Sequence, residues 1–192
     1  MIELNREQQI KLLKLARKTI ADYFYEENST ENSIKDFSDE IFKEMCGAFV
    51  TIHINRRLRG CIGNIKGVKN IPETVMEMSR ASAFRDPRFP PLSREEFENI
   101  DLEISIMSPI EEVRDISEIA IGRDGLIISN GIRSGLLLPQ VATEQNWDLE
   151  KFLENTCYKA GLPGDAWQWK DTRIEKFSAQ VFGEIDLGLL SS

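Results

Sequence analysis

The chain has 192 residues, 24 basic and 32 acidic side chains, a net charge of −8, and 41% hydrophobic and 29% charged residues. That length fits a single domain of about 100–200 residues, and the composition is that of an ordinary soluble globular protein, which excludes disordered, collagen-like and low-complexity classes. No stretch approaches the roughly 18 consecutive apolar residues of a membrane span, and residues 1–6 lack the apolar core of a signal peptide, so a cytoplasmic location is expected.

Asn5 and Gln8 have capping-box spacing, so a helix is predicted from Arg6 to about Tyr25. Ile10, Leu13, Ala16, Ile20 and Phe24 form its apolar stripe. Residues 28–39 are polar and read as a loop. Val50, Ile52 and Ile54 alternate with Phe49, Thr51 and His53, the pattern of a strand. A hairpin turn at residues 55–57 leads into residues 58–63, Leu-Arg-Gly-Cys-Ile-Gly. Two glycines bracketing a cysteine in a strand imply a bulge or a close backbone approach.

Pro72 opens a predicted helix over residues 72–84, with Val75, Met78 and Ser82 on one side. Residues 86–91 carry three prolines and must be a rigid loop. Ser93 and Glu96 make a second capping box. Residues 102–107 alternate as another strand. Asp124-Gly125 and Asn130-Gly131 are hairpin dipeptides, with a strand at residues 126–129 between them. Asp148 caps a helix over about residues 149–160, which Gly161 ends. A last strand runs over about residues 172–185. Helices interspersed with hairpin-connected strands, without a βαβ rhythm, predict an α+β fold with antiparallel sheets and flanking helices.

Cys46, Cys61 and Cys157 cannot all pair, and no CxxC occurs, so three reduced thiols are expected. The single histidine, His53, excludes a two-histidine zinc site. No metal site and no cofactor is evident. The glycines never fall at dinucleotide-binding or P-loop spacing, and no nucleophile elbow is present.

An acidic protein binds nucleic acid poorly as a whole, but its charge is uneven. Residues 56–94 hold nine basic and three acidic side chains, a local +6, against −14 for the remainder. This segment is either a solvated basic face or a site for a phosphate, a carboxylate or a short nucleic acid. Cys61 lies within it. Arg59, two residues away, is expected on the same strand face, where a cation lowers a thiol pKa. The competing reading of Cys61 is a small buried hydrophobe. A Cys61–His53 pair across the hairpin is a further option. Asp86 and Arg88 sit in the proline-locked loop, either paired with each other or held for binding. Arg133 and Lys159 are further cationic candidates, and Trp167 and Trp169 are candidates for stacking a base or for packing.

Residues 47–51, the string 58–63, Asp86-Pro87-Arg88-Phe89, residues 135–142, Trp147 and residues 159–163 together resemble the AMMECR-one domain family, over nearly the whole chain. Members often carry histidine where this chain has Asp124. The resemblance implies one domain over residues 6–184, built of a larger and a smaller subdomain, followed by a tail at 185–192. It implies no settled activity. It implies company with a Memo-like protein and a radical-SAM protein. It also places suspicion on Arg59, Gly60, Cys61 and Gly63, with Asp86 and Arg88 beside them. The expected function is a cationic pocket for an anionic small molecule, nucleotide or RNA segment. In it Cys61 would be nucleophile or redox thiol, Asp86 would orient Arg88 or move a proton, and Arg59 and Arg88 would hold the anion. The alternative is a non-catalytic partner of the Memo-like or radical-SAM protein.

Overall fold

The computed structural model describes residues 3–25 and 36–190, so most of the polar loop expected at residues 28–39 lies outside the described residues. The fold is α+β with antiparallel strand pairing, in two compact units. One comprises residues 1–107 and 180–192, the other residues 108–179.

The first unit opens with α1, Arg6–Tyr25. The Gln8 N–H donates to Asn5 Oδ1 and the Asn5 N–H to Gln8 Oε1, each at 3.0 Å, which closes the predicted box. Leu12, Leu13, Leu15, Ala16 and Ile20 are buried on one face. The strands β1, Ala48–Ile54, and β2, Arg57–Asn64, form a hairpin. β1 pairs on its other side with β3, Ile100–Met107. The last residues of the final strand, 180–183, belong to the same unit. Helix α2, Ile71–Phe84, is capped by Asn70, whose side chain accepts the Glu73 N–H. It buries Val75, Met78 and Ser82 together, as their spacing predicts. Val50 and Ile52 of β1 and Leu102, Ile104 and Ile106 of β3 complete this core. A short helix, α3 at Arg94–Phe97, follows the proline loop behind the Ser93–Glu96 capping box.

The carboxylate of Glu184, 4% exposed, ties this unit together. It accepts from Arg17 Nε at 2.7 Å and Nη2 at 2.6 Å, and from the Leu102 N–H at 2.9 Å. Arg17 also donates to the Ile100 carbonyl at 2.8 Å.

In the second unit the two-residue strand β4, Glu111–Glu112, and the hairpin strand β5, Asp124–Asn130, both pair with β7, Arg173–Gly183. β5 also pairs with β6, Arg133–Leu137, through a turn at Gly131 with φ +59°. The helices α4, Pro139–Glu144, and α5, Leu149–Lys159, supply Ala142, Phe152, Leu153 and Cys157 to a core with Leu126, Ile128 and Ile174. Asp148 caps α5 by accepting the Lys151 N–H at 2.8 Å, and Gly161, at φ +72°, follows its end.

Asp124-Gly125 is not a turn. Both residues lie inside β5. Asp124 is buried there because its carboxylate accepts the Ala120 N–H and pairs with Arg123, closing the preceding turn.

Candidate functional site

Among the described residues β2 ends the strand order of its sheet, so its outward N–H and C=O groups have no strand there to meet. At Cys61 both groups are taken by one loop. The Cys61 N–H donates to Asp86 Oδ2 at 2.8 Å, and the Cys61 carbonyl accepts from Arg88 Nη2 at 3.0 Å. Asp86 and Arg88 also pair with each other, at 2.7 Å between Oδ2 and Nη2 and 2.9 Å between Oδ1 and Nε. The Arg88 N–H donates to Asp86 Oδ1 at 3.1 Å. This pincer follows from local sequence. Asp86 comes right after α2, Pro87 fixes the backbone, and the Phe89 N–H returns to the Asp86 carbonyl at 3.1 Å.

Asp86 is buried, and its side chain would be costly to charge there alone. The Arg88 guanidinium holds its carboxyl far below the usual carboxylate range, with the Cys61 N–H adding to the effect. Arg88 in turn is held above its ordinary value, first by Asp86 and to a lesser degree by the Cys61 side chain beside it. Its side chain stays half exposed.

The hairpin register explains why the thiol faces outward. A two-residue turn at Asn55 and Arg56 sets Ile54 opposite Arg57 and His53 opposite Leu58. Continued without interruption, that register would set Cys61 opposite Val50, a core residue. The register shifts between Ile52 and His53, which makes Arg59 the extra residue of a bulge. Cys61 therefore opposes Thr51, and Gly60 turns to the core. A single-residue slip exchanges the two faces of a strand. Thr51 Oγ1 lies 3.3 Å from Cys61 Sγ. His53 opposes Leu58, so the hairpin does not set it opposite Cys61.

Gly60 is required by close approach. A Cβ there would lie 2.3 Å from the carbonyl oxygen of Ser82. Ser82 itself laces α2 to the hairpin: its hydroxyl donates to the Val50 carbonyl at 2.6 Å and accepts the Ile62 N–H at 2.8 Å. Gly63 lies against the Phe49 ring.

Arg59 serves a different partner from the one its spacing implies. Its Nε and Nη2 donate to Glu96 at 2.8 and 2.9 Å, and Nη2 also reaches the Pro90 carbonyl at 3.0 Å. Arg59 lowers the Glu96 pKa to about 2, helped by the donors of Ser93. The guanidinium carbons of Arg59 and Arg88 lie 5.7 and 5.6 Å from the Phe89 ring centroid. The cation beside the thiol is therefore Arg88, and Arg59 fastens the loop.

The other cysteines differ. Cys46 is buried, and burial with the nearby charge of Glu44 pushes its pKa up to about 12. Cys157 is buried in the second core and likewise raised by burial. Cys61 is half-buried. Arg133 donates to the Gly161 carbonyl, Lys159 is exposed, Trp167 packs on the second core and Trp169 is exposed. Among the described residues, no group of three His, Cys, Asp or Glu side chains could hold a metal ion. No described helix is long and apolar enough to cross a membrane.

Residue-type reasoning missed Thr51, Ser82, Phe89 and Glu96. Ser82 lay on the predicted inner face of its helix, a readable signal. Thr51 became visible only through the bulge.

The architecture recurs in a solved structure, and the sequence has similar relatives. A crystal structure of an uncharacterised protein from Pyrococcus horikoshii matches with a TM-score of 0.67 at 38% identity, covering 90% of this chain and 89% of that one. A protein of Methanothermobacter thermautotrophicus is 42% identical over 187 residues, covering 94% of this chain and 96% of that protein. One of Methanocaldococcus jannaschii is 43% identical over 155 residues, covering 77% of each. A model of the AMMECR1 family matches residues 13–182. The chain belongs to the AMMECR1 family.

Proposed function

We propose that the Cys61 surface binds an anionic ligand (a small molecule, a nucleotide or an RNA segment) and presents the Cys61 thiol to it. One observation carries this reading. Asp86 fixes the Arg88 guanidinium on the backbone of Cys61 and beside its side chain, on the one cysteine of three that is not fully buried. Arg88 Nε and Nη2 are engaged, and among the described residues nothing accepts from its Nη1. That nitrogen is the donor left for a phosphate or carboxylate oxygen. Thr51 supplies a hydroxyl to orient the sulfur.

The test is alkylation of the native protein with iodoacetamide, read by peptide mass spectrometry. The sulfur displaces iodide and its proton goes to solvent. Cys61 reacts in the folded chain, while Cys46 and Cys157 react only on unfolding. Adenosine monophosphate and inorganic phosphate, each tried as the anion, slow the reaction at Cys61 in the parent and not in Arg88→Ala. A thiol that stays inert until the protein unfolds sinks the proposal. So does alkylation that neither anion, nor a short oligoribonucleotide, slows.

A second reading has its own support. The guanidiniums of both Arg59 and Arg88 are ion-paired within the chain, which fits a docking segment for a Memo-like or radical-SAM partner. Recovery of such a partner by copurification, lost in Arg88→Ala with alkylation at Cys61 unprotected by anions, favours this second reading.

A further inference from the structure

The strand register carries the Cys61 surface further across its sheet. Cys61 opposes Thr51 on β1, and Thr51 opposes Glu103 on β3. Directly opposed residues of neighbouring strands present their side chains on one face, so Cys61, Thr51 and Glu103 form a row across three strands. Each of the three is half-buried. Arg88 stands at the outer end of the row, beside the Cys61 side chain. Two strand spacings of about 4.8 Å put the Glu103 backbone roughly 10 Å from that of Cys61.

Opposite charges are left without partners at the two ends. At one end, nothing among the described residues accepts from Arg88 Nη1. At the other, Glu103 has no hydrogen bond or ion pair among the described residues, and its oxygens are not sealed from solvent. Burial holds the Glu103 carboxyl above its ordinary value; His53 pulls it down, and Asp186 and Asp101 push it up. A carboxylate that is half-buried without a counter-ion gains from an arriving ammonium, which supplies both the donor and the opposite charge. A row that is cationic at one end and anionic at the other is complementary to a ligand bearing both signs.

We infer that the ligand of the Cys61 surface is an extended zwitterion, an anion that also carries an ammonium group about two strand spacings away. Its anionic group takes Arg88, its ammonium takes Glu103, and the chain between them crosses Cys61 and Thr51. The inference rests on the anion reading of the Cys61 surface and deepens it by naming the second charge.

The test uses the full chain and reads protection of Cys61 from iodoacetamide against probe concentration. The probes are 6-aminohexanoate, its half-molecules hexanoate and hexylamine, and glycine, with inorganic phosphate and adenosine monophosphate run beside them. 6-Aminohexanoate protects at least about tenfold more tightly than either half-molecule, and glycine, too short to reach both ends, protects no better than hexanoate. Glu103→Gln brings 6-aminohexanoate down to the level of hexanoate and leaves hexanoate itself unchanged. Glutamine keeps the shape of glutamate at a position with no partner to lose, and the unchanged hexanoate protection checks the variant's fold in the same assay. Arg88→Ala loses protection by both. The inference is overturned if 6-aminohexanoate fails to protect, or if hexanoate or hexylamine protects as tightly. It is equally overturned if Glu103→Gln holds 6-aminohexanoate as the parent does, or loses hexanoate as well. In each of those cases, protection by phosphate or adenosine monophosphate leaves the anion reading standing. Absence of protection by every anion up to about 20 mM overturns both.

Discussion

The two units each contain an Asp–Arg pincer, and the pincers differ in reach. In the first, Asp86 and Arg88 grip the N–H and C=O of Cys61, 25 and 27 residues away on another element. In the second, Asp124 accepts the Ala120 N–H and Arg123 donates to the Glu118 carbonyl at 3.3 Å, four and five residues away. Both aspartates are nearly fully buried, at 4% and 3% exposed, and both arginines are half exposed. The chemistry is the same, so the difference lies in what each device holds. The local pincer closes a turn that its own backbone already makes, since the Asp124 N–H returns to the Ala120 carbonyl at 2.9 Å. The long one fixes an edge strand to a loop, and through that strand it sets the position of a thiol.

The largest expected effect separates them. Asp86→Ala leaves a part-buried Cys61 N–H without its acceptor and a guanidinium without its counter-ion, and should cost about 3 kcal/mol. Asp124→Ala should cost about 1 kcal/mol, because the turn keeps its own backbone bond from the Asp124 N–H to the Ala120 carbonyl. Urea denaturation of the two variants measures both. Equal losses would break the comparison and make each pincer a merely local brace.

The second effect is acid sensitivity. The Asp86 carboxyl is held low by Arg88, and the Glu96 pKa is lowered to about 2 by Arg59. Burial raises the Asp124 carboxyl, but Arg123 and the Ala120 N–H outweigh it and leave a net lowering. Groups lowered on folding stabilise the protein fully above their unfolded values of about 4, and that stability is lost as pH falls through the folded values. Stability should therefore fall from about pH 4 toward pH 2 and below, in which range the carboxylates protonate. Glu96→Gln should cost about 1 kcal/mol at neutral pH, since its partly exposed pair is screened by solvent. Combined with Asp86→Asn it should flatten the acid limb. An acid limb as steep in the double variant as in the parent would show that other carboxylates carry it.

Much of the fold was legible because local rules and tertiary packing agree. The Asn5–Gln8 and Ser93–Glu96 boxes, the Pro72 start and the Asp148 cap each involve groups within a few residues; the boxes and the Asp148 cap place their helix starts, and the helix read from Pro72 begins one residue earlier, at Ile71 behind Asn70. Asp124-Gly125 misled because the dipeptide's turn preference was outweighed by burial of Asp124 against Arg123. The site was legible in its residue types and not in its pairings. Residues 56–94 count as strongly basic, yet the partner of Arg59 is Glu96, two positions past that window. The bulge at Arg59 could be read from the glycines as an irregularity, but its direction needed the fit of Gly60 under Ser82. That fit turned Cys61 from the Val50 row to the Thr51 row.

The smallest expected effect is the most discriminating. Arg88→Lys and Arg123→Lys both keep the charge and lose the planar fork that bonds two acceptors at once. In each variant the ammonium can still meet its aspartate, so both melting points should shift less than those of the aspartate variants. Their local consequences should differ. A lysine at 88 cannot serve Asp86 and the Cys61 carbonyl in the geometry of Nε and Nη2, so the outer edge of β2 loosens there. Amide exchange at Cys61 and Ile62 should accelerate, and alkylation of Cys61 should lose its protection by anions. Arg123→Lys should leave both unchanged, because Ala120 and Asp124 stay joined through their own turn. If Arg88→Lys kept the parent's exchange and alkylation behaviour, the fork would be dispensable. Asp86 alone would then be holding the strand, with Arg88 reduced to its counter-ion.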